Sequence, residues 1–108
     1  TADYKESGVN IIITDAVVGG ESPTTDNEVT VKYTGYEFDG SVFDQSDENI
    51  TFPLRNLIEG WKIGIPYMKR GEKAVLMIPA CLAYGSNPPP GIGFNAPLIF
   101  EIELIDFE

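Results

Sequence analysis

Apolar and polar residues alternate along much of this chain, and the period is more often that of strands than of helices. Val29-Thr30-Val31-Lys32-Tyr33 places Val29, Val31 and Tyr33 on one face, as in a half-buried strand. Leu98 to Phe107 repeats the pattern, with Phe100, Ile102 and Leu104 facing one way and Glu101 and Glu103 the other, as on an edge or exposed strand. Lys73 to Pro79 does so again through Ala74, Leu76 and Ile78. Val9 to Val18 is apolar and β-branched around Ile11-Ile12-Ile13 and predicts a further strand. Val42 to Phe52 predicts two short strand pieces around the polar bulge Asp47-Glu48-Asn49.

One segment changes period. Between Asn56 and Met68 the residues Leu57, Trp61, Ile65 and Met68 form a single helical stripe. Asn56 and Glu59 have the spacing of a capping box, and Pro66 ends or kinks the helix near Ile65. Lys69-Arg70-Gly71 then supplies a basic end and a glycine stop. Gly19 to Pro23 and Glu37 to Gly40 read as turns, and Tyr84 to Pro97 as a long loop stiffened by Pro88-Pro89-Pro90. Several alternating strands with one short helix predict an α+β domain, an antiparallel sheet with the helix packed on one face.

Composition narrows the chemistry. The length of 108 residues suits one domain spanning 1–108. Seven Lys+Arg against 17 Asp+Glu give a net charge of −10, which argues against nucleic acid and anionic membranes as partners. No apolar run approaches the roughly 18 residues of a membrane span. The chain has no histidine and a single cysteine, Cys81, which reads as a small buried hydrophobe. Neither an intrachain disulfide nor a zinc site is therefore expected, and no metal or other cofactor. A monomer in a reducing, cytoplasmic compartment is the simplest expectation.

What remains is an inventory for gripping a neutral, compact group. Trp61, Tyr33, Phe43 and Phe100 come from separate segments, and each alone would read as core. Together they favour a cup, because a cavity needs several rings from different elements. Tyr84, placed before glycine in a loop, has no evident core role, so contact with a ligand is its stronger reading. Asp44 beside Phe43 reads by itself as capping a turn or pairing with a Lys or Arg, and no role as general base is assigned to it. Pro88-Pro89-Pro90 stiffens the loop more simply than it mimics a polyproline ligand.

The motifs Val31-Lys32-Tyr33-Thr34-Gly35, Phe43-Asp44, Leu57-Ile58-Glu59-Gly60-Trp61, Ala83-Tyr84-Gly85 and Phe100-Glu101-Ile102-Glu103-Leu104 stand in order. Together they resemble the FKBP family of peptidyl-prolyl cis-trans isomerases, the immunophilins that bind tacrolimus and rapamycin. The resemblance covers roughly residues 5 to 107. It implies a twisted antiparallel sheet wrapped around one short helix, with the ligand between them, and an open concavity above Trp61. It implies a site of Tyr33, Phe43, Asp44, Trp61, Tyr84 and Phe100, with Ile50, Leu57, Ile58, Ala83 and Ile92 also binding substrate. The Ile58 N–H and the Tyr84 hydroxyl would donate to carbonyls of a proline-containing polypeptide. Ile50 replaces a family aromatic, Phe52 to Trp61 is about two residues short, and the loop after Tyr84 is shortened. These departures bear on drug affinity and partner choice. They keep a second reading in view, a binding module with little turnover whose 84–97 loop docks a protein.

Overall fold

The computed structural model describes residues 4–6, 8–82 and 97–108. Strands β1 (Tyr4–Glu6), β2 (Val9–Asp15), β3 (Glu28–Glu37), β4 (Val42–Gln45), β5 (Ile50–Pro53), β6 (Lys73–Ile78) and β7 (Leu98–Phe107) form one seven-stranded sheet. The order is β1-β2-β6-β7-β3-β4, and β5 also pairs with β3. Every pairing is antiparallel. The long strands β3 and β7 lie side by side at its centre, from Val29 opposite Phe107 to Glu37 opposite Leu98.

Strand alternation sorts residues onto two faces. Val29, Val31, Ala74, Leu76, Ile78, Leu98, Phe100, Ile102 and Leu104 are buried on the inner face. Across the outer face run the rows Lys73–Glu103–Lys32 and Val75–Glu101–Thr34. Glu101 and Glu103 thus point outward as expected, but β7 is an interior strand flanked by β6 and β3, not an edge.

The helix α1 (Glu59–Gly64) packs on the inner face. Two glycines permit the approach. A Cβ on Gly60 would lie 2.4 Å from Ile78 Cγ2, and one on Gly64 would lie 2.8 Å from Leu76 Cδ1. Trp61 is held between them, while Ile65 and Met68 complete the buried stripe.

Three local expectations are corrected. The helix has six residues, with 3-10 turns at Leu54–Asn56 and Ile65–Tyr67 in place of a continuous run from Asn56 to Met68. Asn56 does not cap it. The N-cap is Ile58, which has no polar side-chain atom, so Glu59 is the first helical residue and not the third of a capping box. Pro66 falls in the second 3-10 turn, where its missing N–H costs little. Strand β2 stops at Asp15 and does not reach Val18. Its pairing with β6 shifts between Ile13 and Asp15, and the buried Glu72 carboxylate then accepts the Val17 N–H at 2.9 Å. Val18 is left fully exposed.

Candidate functional site

Four rings meet on the inner face around α1. The Trp61 indole meets Tyr33 at a centroid separation of 5.1 Å and Phe100 at 5.2 Å, both edge-on. Phe43 meets Phe100 edge-on at 5.5 Å. Such edge-to-face contacts favour a rigid cluster, since each ring's positive edge meets a negative face. Gly35 makes room for it: a Cβ there would lie 2.7 Å from Phe43 and 2.9 Å from Phe100.

Each ring is positioned by its element. Tyr33 is set by β3, and its main chain is gripped by Ser46, whose Oγ accepts the Tyr33 N–H at 2.8 Å and whose N–H donates to the Tyr33 carbonyl at 2.9 Å. The Tyr33 hydroxyl donates to Asp44 Oδ2 at 2.9 Å, tying β3 to β4 across the rim. Phe43 is inserted between Val42 and Asp44 at a register shift, where β4 pairs Asp44 with Gly35 but Val42 with Tyr36. The shift gives Phe43 its own direction.

Ile50 and Phe52 project from β5 opposite Val31 and Val29, hence toward the inner face. The Phe52 ring lies edge-on to Trp61 at 6.5 Å. Phe52 and Ser46 were not singled out in the sequence. The signal for Phe52 was its i+2 spacing from Ile50; nothing local marks Ser46.

Two donors stand out. None of the described residues accepts a hydrogen bond from the Ile58 N–H, while the Ile58 carbonyl starts the helix by accepting from Trp61 and Lys62. The Trp61 Nε1–H is buried without an acceptor among the described residues and is surrounded by ring edges and faces.

The structure thus brings Tyr33, Phe43, Asp44, Trp61 and Phe100 together, with Leu57 and Ile58 packed against the same core. Ala83, Tyr84 and Ile92 lie outside the described residues, as does the side chain of Cys81. Against the expected open concavity above Trp61, the indole itself is largely covered by described residues. The residue is 4% exposed because three ring edges and faces close around it, and Phe100 is 2% exposed. Among the described residues Tyr33, Phe43, Leu57 and Ile58 are half-buried and pack against the same core, and Ile50 is half-buried on β5.

A cavity of about 320 Å3 lies elsewhere, on the outer face, lined by Lys32, Thr34, Lys73, Val75, Glu101 and Glu103 among others. It shares only Tyr33 with the ring cluster. Charged side chains and hydroxyls of the sheet surface make up much of its lining. Among the described residues no cluster of His, Cys, Asp or Glu has the arrangement of a metal site.

Comparison with known proteins agrees with this arrangement. Residues 19–105 match the family model described as FKBP-type peptidyl-prolyl cis-trans isomerase. The chain is 42% identical over 105 residues to the isomerase FkpA of Buchnera aphidicola subsp. Schizaphis graminum, covering 94% of this chain and 42% of that protein. It is 44% identical over 90 residues to the isomerase Mip of Coxiella burnetii, covering 80% and 39%. It spans less than half the length of these curated relatives. The crystal structure of a peptidyl-prolyl cis-trans isomerase from Pseudomonas syringae pv. tomato superposes with a TM-score of 0.90 at 34% identity, covering 96% of this chain and 78% of that one. The sheet wrapped on a short helix, the ring cluster at their junction and the match over residues 19–105 have one common explanation: this chain belongs to the FKBP-type peptidyl-prolyl cis-trans isomerase family.

Proposed function

We propose that the chain catalyses cis-trans rotation of Xaa-Pro bonds in proline-containing polypeptides, on the ring cluster around Trp61. The observation that carries this reading is the meeting of Tyr33, Phe43 and Trp61 with Phe100, beside an Ile58 N–H that no described residue accepts. Tyr84, Ala83 and Ile92 enter through the family resemblance.

The chemistry asks for no nucleophile and no proton shuttle, so a chain without histidine suits it. Rotation about a peptide bond is opposed by a barrier of about 18–20 kcal/mol because resonance stiffens the C–N bond. Before proline the isomers are close in energy, yet exchange takes on the order of tens to hundreds of seconds. A catalyst needs only to favour the twisted imide over the planar one. The planar form is the more dipolar, so placing it against apolar rings raises its free energy more than that of the twisted form. The Ile58 N–H and the Tyr84 hydroxyl hold neighbouring carbonyls while the bond turns. Four decades of acceleration require about 5–6 kcal/mol, within reach of desolvation plus one or two oriented hydrogen bonds. Asp44 orients the Tyr33 hydroxyl and has no part in proton transfer.

The same apolar cluster suits the macrolides tacrolimus and rapamycin, although Ile50 offers less aromatic surface than the family ring it replaces. The test is the catalysed rate on a short Leu-Pro peptide. Trp61→Ala and Tyr84→Phe are each expected to slow it, the latter with the domain fully folded. Equal rates in the wild type and both variants would remove the proposed site, and binding of the peptide without any acceleration would leave only a docking module.

A further inference from the structure

The β3–β4 hairpin has two bulky apolar side chains that take no part in the core. Phe38 at its tip is 63% exposed and Val42 is 50% exposed. The turn does not need them, because polar groups close it. Glu37 N–H donates to the Ser41 carbonyl and Gly40 N–H to the Glu37 carbonyl, both at 2.9 Å. Asp39 Oδ1 accepts from the Ser41 N–H at 2.8 Å and from the Ser41 hydroxyl at 2.6 Å. Gly40 takes φ +92°, which a side chain would resist. Phe38 is thus presented to solvent by a fastened turn.

Three further observations say what such a surface would take. First, β4 ends the described sheet order, so its outward backbone groups are not paired with another described strand. An open edge of this kind accepts an extended chain. Second, residues 36–48 contain Glu37, Asp39, Asp44, Asp47 and Glu48 and no Lys or Arg, which favours a cationic occupant and repels a second copy of a chain with net charge −10. Third, the hairpin is continuous with the ring cluster. Val42 directly precedes Phe43, and with about 3.3 Å per extended residue a chain leaving the cluster reaches the hairpin within a few residues.

We propose that Phe38, Val42 and the open edge of β4 form a second contact for the polypeptide client, gripping an extended stretch of mixed apolar and cationic side chains beside its proline. This rests on the isomerase reading and names the client class that the site favours.

The experiment compares three probes: the tetrapeptide Ala-Leu-Pro-Phe, a 14-residue peptide with that core in the centre flanked on both sides by alternating Lys and Leu, and the same peptide with Glu for Lys. Rates are followed by NMR exchange and binding by fluorescence anisotropy. The Lys/Leu peptide is expected to exceed the tetrapeptide by about tenfold in kcat/KM, the scale of one well-placed aromatic contact. The Glu peptide is expected to show no gain. Phe38→Ser with Val42→Thr is expected to abolish the gain and keep the tetrapeptide rate, which also reports that the domain is folded, while Phe38→Leu retains most of it. An undiminished preference for the Lys/Leu peptide in the double variant overturns the proposal. So does a dimer in sedimentation that the double variant dissolves, since the patch would then serve a second copy. If the wild type accelerates none of the peptides, the isomerase reading fails by itself. Anisotropy still decides the docking surface, through loss or retention of Lys/Leu peptide binding in the double variant.

Discussion

The two faces of the central sheet offer contrasting hollows. The outer one is a cavity of about 320 Å3 bordered by Lys32, Lys73, Glu101 and Glu103. On the inner one Trp61 is only 4% exposed, and rings from β3, β4, α1 and β7 converge on it. Chemistry selects the inner, because rotating an imide calls for apolar surface and oriented donors, and charged tips in water provide neither. The outer hollow follows from a twisted sheet with long side chains standing off its surface. The inner cluster required special provisions: the glycine at 35 under two rings, the glycines at 60 and 64 under the helix, and the register shift at Phe43.

This contrast can be broken from either side. The largest effect belongs to Trp61→Ala, which removes the centre of the ring cluster. It should cost about 3–5 kcal/mol in chemical denaturation and slow the catalysed rate more than any other change named here. Gly60→Ala comes next and is a test of sign. In an open helix the change would gain up to about 1 kcal/mol from propensity, but here the new Cβ meets the buried Ile78 branch, and a loss of about 1–3 kcal/mol is expected in the same assay. Tyr33→Phe removes the bond to Asp44 and should cost about 0.5–1.5 kcal/mol, toward the low end because the bond is partly solvated. On the outer face, Lys32→Gln with Lys73→Gln should move stability by no more than about 0.5 kcal/mol and leave the catalysed rate unchanged. A comparable loss of rate there would reverse the assignment of the two faces.

The smallest effect is electrostatic. Hydrogen bonds from Ser41 hold the Asp39 carboxyl below its ordinary value of 3.8, and Arg70 does the same for Asp106. Both shifts are depressions, so the stability they lend is fully present above pH 3.8. It is lost as the pH falls through the lower folded-state values. Carboxyl resonances followed by NMR should show both titrating below 3.8, and Ser41→Ala should move Asp39 only part of the way back toward it, because the Ser41 N–H still donates to its carboxylate.

Strands announced by strict alternation were legible in the sequence. Leu98–Phe107 emerges with the boundaries its pattern implies, because interior strands with one buried face leave little freedom of register. Failures occurred where a distant group overrides local preference. Ala16-Val17-Val18 continues the apolar run of β2, yet Glu72 captures the Val17 N–H and draws the chain off β6; no local pattern shows that a glutamate in a turn will be buried. Asn56 has cap chemistry, but a 3-10 turn uses its position and the helix begins later. Tyr4–Glu6 is too short and polar to signal a strand. Within the ring cluster, Tyr33, Phe43, Trp61 and Phe100 were readable as a group. Ser46 was not, because its value lies in which backbone it meets.

The most direct test is amide and indole NMR of the wild-type chain titrated with Ala-Leu-Pro-Phe. The account requires that the Trp61 Nε1–H and the Ile58 N–H shift together and saturate at one affinity, while the amides of Lys32, Lys73 and Glu101 stay in place. Saturating shifts confined to the outer-face residues, with Trp61 and Ile58 unmoved, would contradict it.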